Sequence, residues 1–190
     1  EVERIKLGMS EAKFNQEFMN DFSAELVGTY YATLVNELET AQKINTTAIH
    51  DPDLPVQVAF DIGRSDNTCA WFWQETGHGI KWIDFYTNNG QAAEHYIDML
   101  KAKPYDLSRV HLPHDAKAMT FSTDKSALEQ FVHAFEDKDT LIDLVPKLSV
   151  EDGIEAVRQT LKFSEFNGEE CYYGIECLRV YRKRFDELKQ

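Results

Sequence analysis

Val56-Gln57-Val58-Ala59-Phe60-Asp61, followed by the polar turn from Gly63 to Asn67, is the stretch whose reading decides the fold. Its larger apolar side chains recur at period two, Pro55 precedes it and Gly63 follows, so it predicts a strand ending on a carboxylate. Thr68 to Gln74 is aromatic and β-prone, and predicts a second strand. Gly77-His78-Gly79 closes a hairpin into Ile80 to Tyr86, where Lys81 and Asp84 interrupt an otherwise apolar strand. Three sequential strands with short links make an antiparallel meander.

After Asn89-Gly90 the pattern changes to alternating helix and strand. Ala92, Ala93, Tyr96, Ile97 and Leu100 mark one helical face, and Val110 to Leu112 predicts a short strand ending at Pro113-His114-Asp115. Thr123-Asp124 is expected to cap a helix carrying Ala127, Leu128, Phe131, Val132 and Phe135. Leu141 to Val145 reads as a strand stopped by Pro146. Ser149, with Asp152 three residues on, opens a helix bearing Ile154, Val157 and Leu161. A last helix is expected from about Glu170, with Ile175, Leu178, Phe185 and Leu188 inward.

Upstream, residues 1–50 read as a helical, polar segment or linker, and 51–190 as the main domain. Ser10 is a candidate N-cap, with Phe14 and Phe18 behind it at i, i+4; Gly28 breaks the pattern before Tyr30, Tyr31, Leu34, Leu38 and Ala41. The order β-β-β-α-β-α-β-α with a further helix excludes a doubly wound dinucleotide fold, which alternates from the start and carries G-x-G-x-x-G in its first turn. It predicts an α/β, mixed five-stranded sheet with helices on both faces, in which the first, fourth and fifth strands run parallel. That is the ribonuclease-H-like order.

Composition sets limits on function. The chain has 190 residues, 43% hydrophobic and 12% aromatic, enough to bury a core. No apolar run approaches the roughly 20 residues of a membrane span, and no basic-then-apolar leader occurs, so a secreted or membrane-integral protein is not expected. Cys69, Cys171 and Cys177 form no C-x-x-C pair and read as packed, reduced thiols of a cytosolic protein. With 33 acidic against 20 basic residues, the net charge of −13 opposes tight autonomous binding to nucleic acid. It leaves room for an enzyme that holds cations between carboxylates.

Two carboxylates fit that description. Asp61 ends the first strand and Asp115 lies just beyond the fourth; if those strands are parallel neighbours, both emerge at the edge where open α/β sheets bind ligands. Like charges so placed are costly unless cations lie between them. Mg²⁺ or Mn²⁺ suits all-oxygen ligands, and a pair of ions roughly 3.5–4 Å apart clamps the attacking and leaving oxygens of a phosphodiester displacement. The plainer alternative is that Asp61 starts a turn and Asp115 caps one. Asp66 offers either a further carboxylate or, more commonly, an Asx turn. His111 and His114 could suggest zinc but lack a helical ligand context, and a polar strand-end pair is the commoner reading. Trp71, Phe72 and Trp73 alternate sides of a strand, which favours packing over base stacking. Arg182-Lys183-Arg184 is a basic cluster that reads as a solvated face before it reads as a DNA contact.

The run from Ala59 to Gln74 resembles the first nuclease motif of the large terminase subunits of tailed bacteriophages, through its D-I-G-x-x-D string at Asp61 to Asp66. The resemblance continues through Ile83 to Tyr86, Leu112-Pro113-His114-Asp115-Ala116, Gly153 to Arg158, and Cys171 to Arg182. Gln16-Glu17-Phe18 and Gly28-Thr29-Tyr30-Tyr31 resemble the family's approach to the nuclease domain. It implies a ribonuclease-H-like, metal-dependent endonuclease that cuts concatemeric double-stranded viral DNA during genome packaging. By the same resemblance Asp61 and Asp115 are two catalytic metal ligands, for two Mg²⁺ or Mn²⁺ ions. The implied partners are a packaging ATPase domain, a small terminase subunit and a portal, in the cytoplasm of an infected or prophage-carrying bacterium. The family's third acid lies in a Ser-His-x-x-Asp-Ala setting that is absent before Gln190; it is expected beyond that residue, with Glu176 or Asp186 as substitutes. Two other readings stand beside this one: a non-catalytic docking module of a packaging motor, and a resolvase or transposase core.

Overall fold

The computed structural model describes residues 28–63, 67–117, 119–120 and 123–182. Helix α1 (Ala32–Thr40) leads into a two-residue strand β1 (Ile44–Asn45) and then the meander β2 (Val56–Asp61), β3 (Thr68–Thr76) and β4 (Gly79–Asn88). Next come α2 (Ala93–Ala102), β5 (Leu107–Leu112), a 3₁₀ turn (His114–Lys117) and a small hairpin, β6 (Met119–Thr120) with β7 (Thr123–Ser126). The chain then forms α3 (Ala127–Ala134), β8 (Leu141–Leu144), α4 (Val150–Leu161), β9 (Ser164–Asn167) and α5 (Tyr172–Val180).

The main sheet has seven strands in the order β1-β9-β4-β3-β2-β5-β8. β2 lies between its antiparallel hairpin partner β3 and its parallel neighbour β5, and β8 runs parallel to β5. Only β3 runs against the other six. The expected five strands are all present. The two additions, β1 and β9, extend the β4 edge and carry too few residues for an alternating pattern to show in sequence.

Alternation along the strands sorts the side chains into two layers. Val56, Val58 and Phe60 of β2, with Phe72, Val110 and Leu112, meet Ile97 and Leu100 of α2 and Phe131 of α3. On the opposite face Trp71, Trp82 and Phe166 pack with Val35 and Leu38 of α1, Ile154 and Leu161 of α4, and Ile175 of α5. The three consecutive aromatics are packing residues: Trp71 and Phe72 enter opposite cores, and Trp73 packs against Trp82 at 5.5 Å between ring centroids.

Helix starts follow local hydrogen-bond chemistry. Ser149 accepts from the Asp152 amide at 3.0 Å, as its spacing predicts. Thr123-Asp124 is not a cap. Those residues belong to β7, and Ser126 caps α3 through a capping box, accepting from the Glu129 amide while the Glu129 carboxylate accepts from the Ser126 amide at 2.7 Å. The last helix starts two residues later than expected, and Phe185 and Leu188 lie outside the described residues.

α5 lies close to the sheet because residue 174 has no side chain. A Cβ there would meet the Trp71 ring at 2.5 Å and Phe85 at 2.8 Å. Gly174→Ala is therefore expected to destabilise the fold by about 2 kcal/mol through overpacking, despite the better helix propensity of alanine. Urea unfolding of the two proteins measures this; a variant as stable as the parent would show that the interface yields freely.

Candidate functional site

The apolar pattern of β2 and β5 fixes where their ends lie. Val58 pairs with Val110 and Ala59 with His111 in parallel register, so Asp61 comes level with Pro113. Asp115 follows two residues later, in the 3₁₀ turn. Both carboxylates thus stand at the carboxyl end of neighbouring parallel strands, the edge where open α/β sheets bind ligands. Asp61 is also cross-strand from Cys69, whose thiol sits 3.6 Å from the Thr87 hydroxyl. That neighbour was readable only once the hairpin register was known.

Each carboxylate sits just past a buried anchor. Phe60 is in the core immediately before Asp61, which is exposed. Leu112 is fully buried, and Ala116 fits into the core while its amide donates to the Pro113 carbonyl at 3.0 Å. Anchoring on both sides holds the turn and leaves the intervening His114 and Asp115 in solvent. Among the described residues no hydrogen bond or ion pair engages the Asp115 carboxylate, so its oxygens are available to a cation. Two exposed carboxylates, oxygen donors only, fit a hard divalent ion that keeps part of its water.

Among the described residues there is no group of three or more His, Cys, Asp or Glu side chains arranged to hold a metal. Glu176 is committed elsewhere. It accepts from Arg179 at 3.2 Å, and the largely buried Arg179 guanidinium also binds Glu39 at 2.6 Å and Asn36, joining α5 to α1. Asp66 and Asp186 lie outside the described residues, as do Lys183 and Arg184; Arg182 forms an antiparallel bridge with Thr29.

The two histidines do not converge. His111 Nε2 lies 3.0 Å from the Gln57 side-chain oxygen, and its ring stacks on Trp73 at 5.4 Å. Burial pushes its pKa down, which keeps the imidazole neutral at pH 7. His114 is exposed at the start of the 3₁₀ turn. Arg109 and Asp143, on the same side of β5 and β8, form a half-exposed ion pair at 2.8 Å.

No family model matches the sequence, and no curated protein matches it. Solved structures do. The nuclease domain of the P22 large terminase aligns with a TM-score of 0.56 at 20% identity, covering 75% of this chain and 76% of that one. The full-length large terminase of a thermophilic bacteriophage gives 0.55 at 17% over 78% of this chain, which spans 37% of that longer protein. The large terminase nuclease of the thermophilic phage G20c, solved with bound magnesium, gives 0.53 at 14%, covering 84% of each chain. The G20c nuclease has also been solved with bound cobalt. At these identities the likeness is one of fold. The chain has the ribonuclease-H-like fold of large terminase nuclease domains, as the sequence resemblance implied.

Proposed function

We propose that this chain is a divalent-metal-dependent DNA endonuclease domain of a viral genome-packaging terminase, with Asp61 and Asp115 as its catalytic metal ligands. The observation that carries the reading is the placement of two exposed carboxylates at the carboxyl ends of adjacent parallel strands. The fold shared with the P22 and G20c nuclease domains supports it. A bound Mg²⁺ or Mn²⁺ pair would stabilise charge on the phosphate and activate a water for hydrolysis. The carboxylates would position the ions through fixed backbone ends, and the phosphate oxygens of the DNA would complete the coordination. Concatemeric double-stranded DNA would be the substrate. A packaging ATPase domain, a small terminase subunit and a portal would be the partners, in the bacterial host cytoplasm.

The −13 charge has a consequence for this site. A polyanion approaching a carboxylate pair is repelled until cations neutralise it, so metal and DNA should bind cooperatively. Incubation of supercoiled plasmid with Mn²⁺ or Mg²⁺, against the same reaction in EDTA, tests the proposal. Nicked and linear products in the metal lanes alone are expected. Folded protein that cuts with neither ion would leave the fold as a docking module, and EDTA-resistant cutting would remove the metal from the reaction.

A further inference from the structure

A second feature lies at the other end of the sheet. From Cys69, opposite Asp61, to Thr76 at the β3–β4 hairpin is seven residues of strand, roughly 24 Å. There the hairpin, α1 and the α4–β9 turn enclose an open cleft of about 390 Å³. Lys43, Lys81 and Lys162 line it together with His78. Glu37 and Glu165 line it too, and Glu165 accepts from the Asn45 amide at 2.9 Å. Three ammonium groups against two carboxylates, one already engaged, make a locally cationic site on a chain of net charge −13. Lys162 donates to Gln159; among the described residues no carboxylate pairs with Lys43 or Lys81.

The same cleft presents Phe163, whose surface is 66% exposed. Its backbone is held from both sides: its carbonyl accepts from the Ile80 amide at 2.9 Å and its amide donates to Thr160 at 3.1 Å. Gly79, at φ +144°, makes that approach possible, since a Cβ there would lie 2.2 Å from the Phe163 oxygen. The backbone is fixed and the ring is left to solvent beside lysines. An exposed aromatic in a cationic groove is the arrangement on which bases stack while ammonium groups meet phosphates. A cleft of this volume takes a nucleotide or two and is too small for a duplex.

We propose that this cleft binds single-stranded nucleic acid, with a base stacked on Phe163 and phosphates held by Lys43, Lys81 and Lys162. The site is separate from the carboxylate edge and needs no metal. On a nuclease it would hold a frayed or newly cut strand away from the reacting centre.

The test is fluorescence anisotropy of a labelled single-stranded oligothymidylate in EDTA, across a salt series, with a duplex of equal length as the second probe. The single strand is expected to bind better than the duplex. Phe163→Ala should weaken it roughly tenfold, the effect of one stacked base. The combined Lys43→Ala, Lys81→Ala, Lys162→Ala protein should lower the salt slope by about two, at about 0.7 per phosphate contact on a single strand. All four side chains reach solvent, and circular dichroism checks that the variants fold. Asp61→Asn should leave this binding unchanged, which separates it from the proposed catalytic site. Equal affinity for duplex, an unaffected Phe163→Ala protein, or competition by poly-glutamate as effective as by oligonucleotide would each overturn the proposal. The last outcome would mark the cleft as a dock for an acidic protein segment.

Discussion

Asp61→Asn and Asp115→Asn should each lower Mn²⁺-dependent cleavage by on the order of 10²–10³-fold, the loss typical when a group acting directly on developing charge is removed. Each change keeps the side-chain shape and deletes one negative charge from an oxygen ligand. Both residues are exposed, and the anchors that fix the strand ends, Phe60, Leu112 and Ala116, are untouched. The urea midpoint should therefore stay at the parental value or rise slightly, because one like charge is gone from the edge. Asp143→Asn is the matched control: its ion pair with Arg109 is half exposed and contributes little to stability. Its cleavage rate should equal that of the parent. Plasmid-nicking rates for the three proteins decide the matter, and parental activity in either Asp61→Asn or Asp115→Asn would remove that residue from the ligand set.

The site was legible because its geometry follows from topology. Once β2 and β5 are read as parallel neighbours, carboxylates at their ends must share an edge, and the strands are long enough for their alternation to show. The elements that escaped reading lack that length. β1 has two residues, and β9 is Ser164-Glu165-Phe166-Asn167, where only Phe166 marks the core. The start of α3 was misplaced because Thr123, Asp124 and Ser126 are all competent caps. Ser126 prevails because Glu129, three residues on, completes a reciprocal pair of bonds. The cationic cleft could not be seen at all, since Lys43, Lys81, Lys162 and Phe163 come from three separate parts of the chain.

Asp84 belongs with these hidden features, and it carries the largest stability effect expected in the fold. In sequence it only interrupts an apolar strand; in the structure its side chain is 4% exposed and bonded to Lys103, from the chain just after α2. The Tyr105 hydroxyl donates to the same carboxylate at 2.9 Å, and the Lys103 ammonium lies 5.6 Å from the Phe72 ring centroid. Lys103→Met would leave a buried carboxylate without its cation, and a loss of about 3 kcal/mol is expected. Asp84→Leu should cost less, because Lys103 is 26% exposed and can turn its ammonium to water. The double variant should be more stable than the sum of the two changes implies, since no unpaired buried charge remains. Tyr105 adds a pH signature. Burial first, and then the Asp84 carboxylate, push its phenol well above the usual range. The folded state therefore holds that proton more tightly than the unfolded chain does. Its contribution is complete below about pH 10 and is lost as pH rises through the tyrosine range. Urea unfolding at pH 8 and pH 10.5 should show a fall in the parent that is smaller in Tyr105→Phe. A Lys103→Met protein within 0.5 kcal/mol of the parent would show that Asp84 finds water or another donor, and that this ion pair does not hold α2 to the sheet.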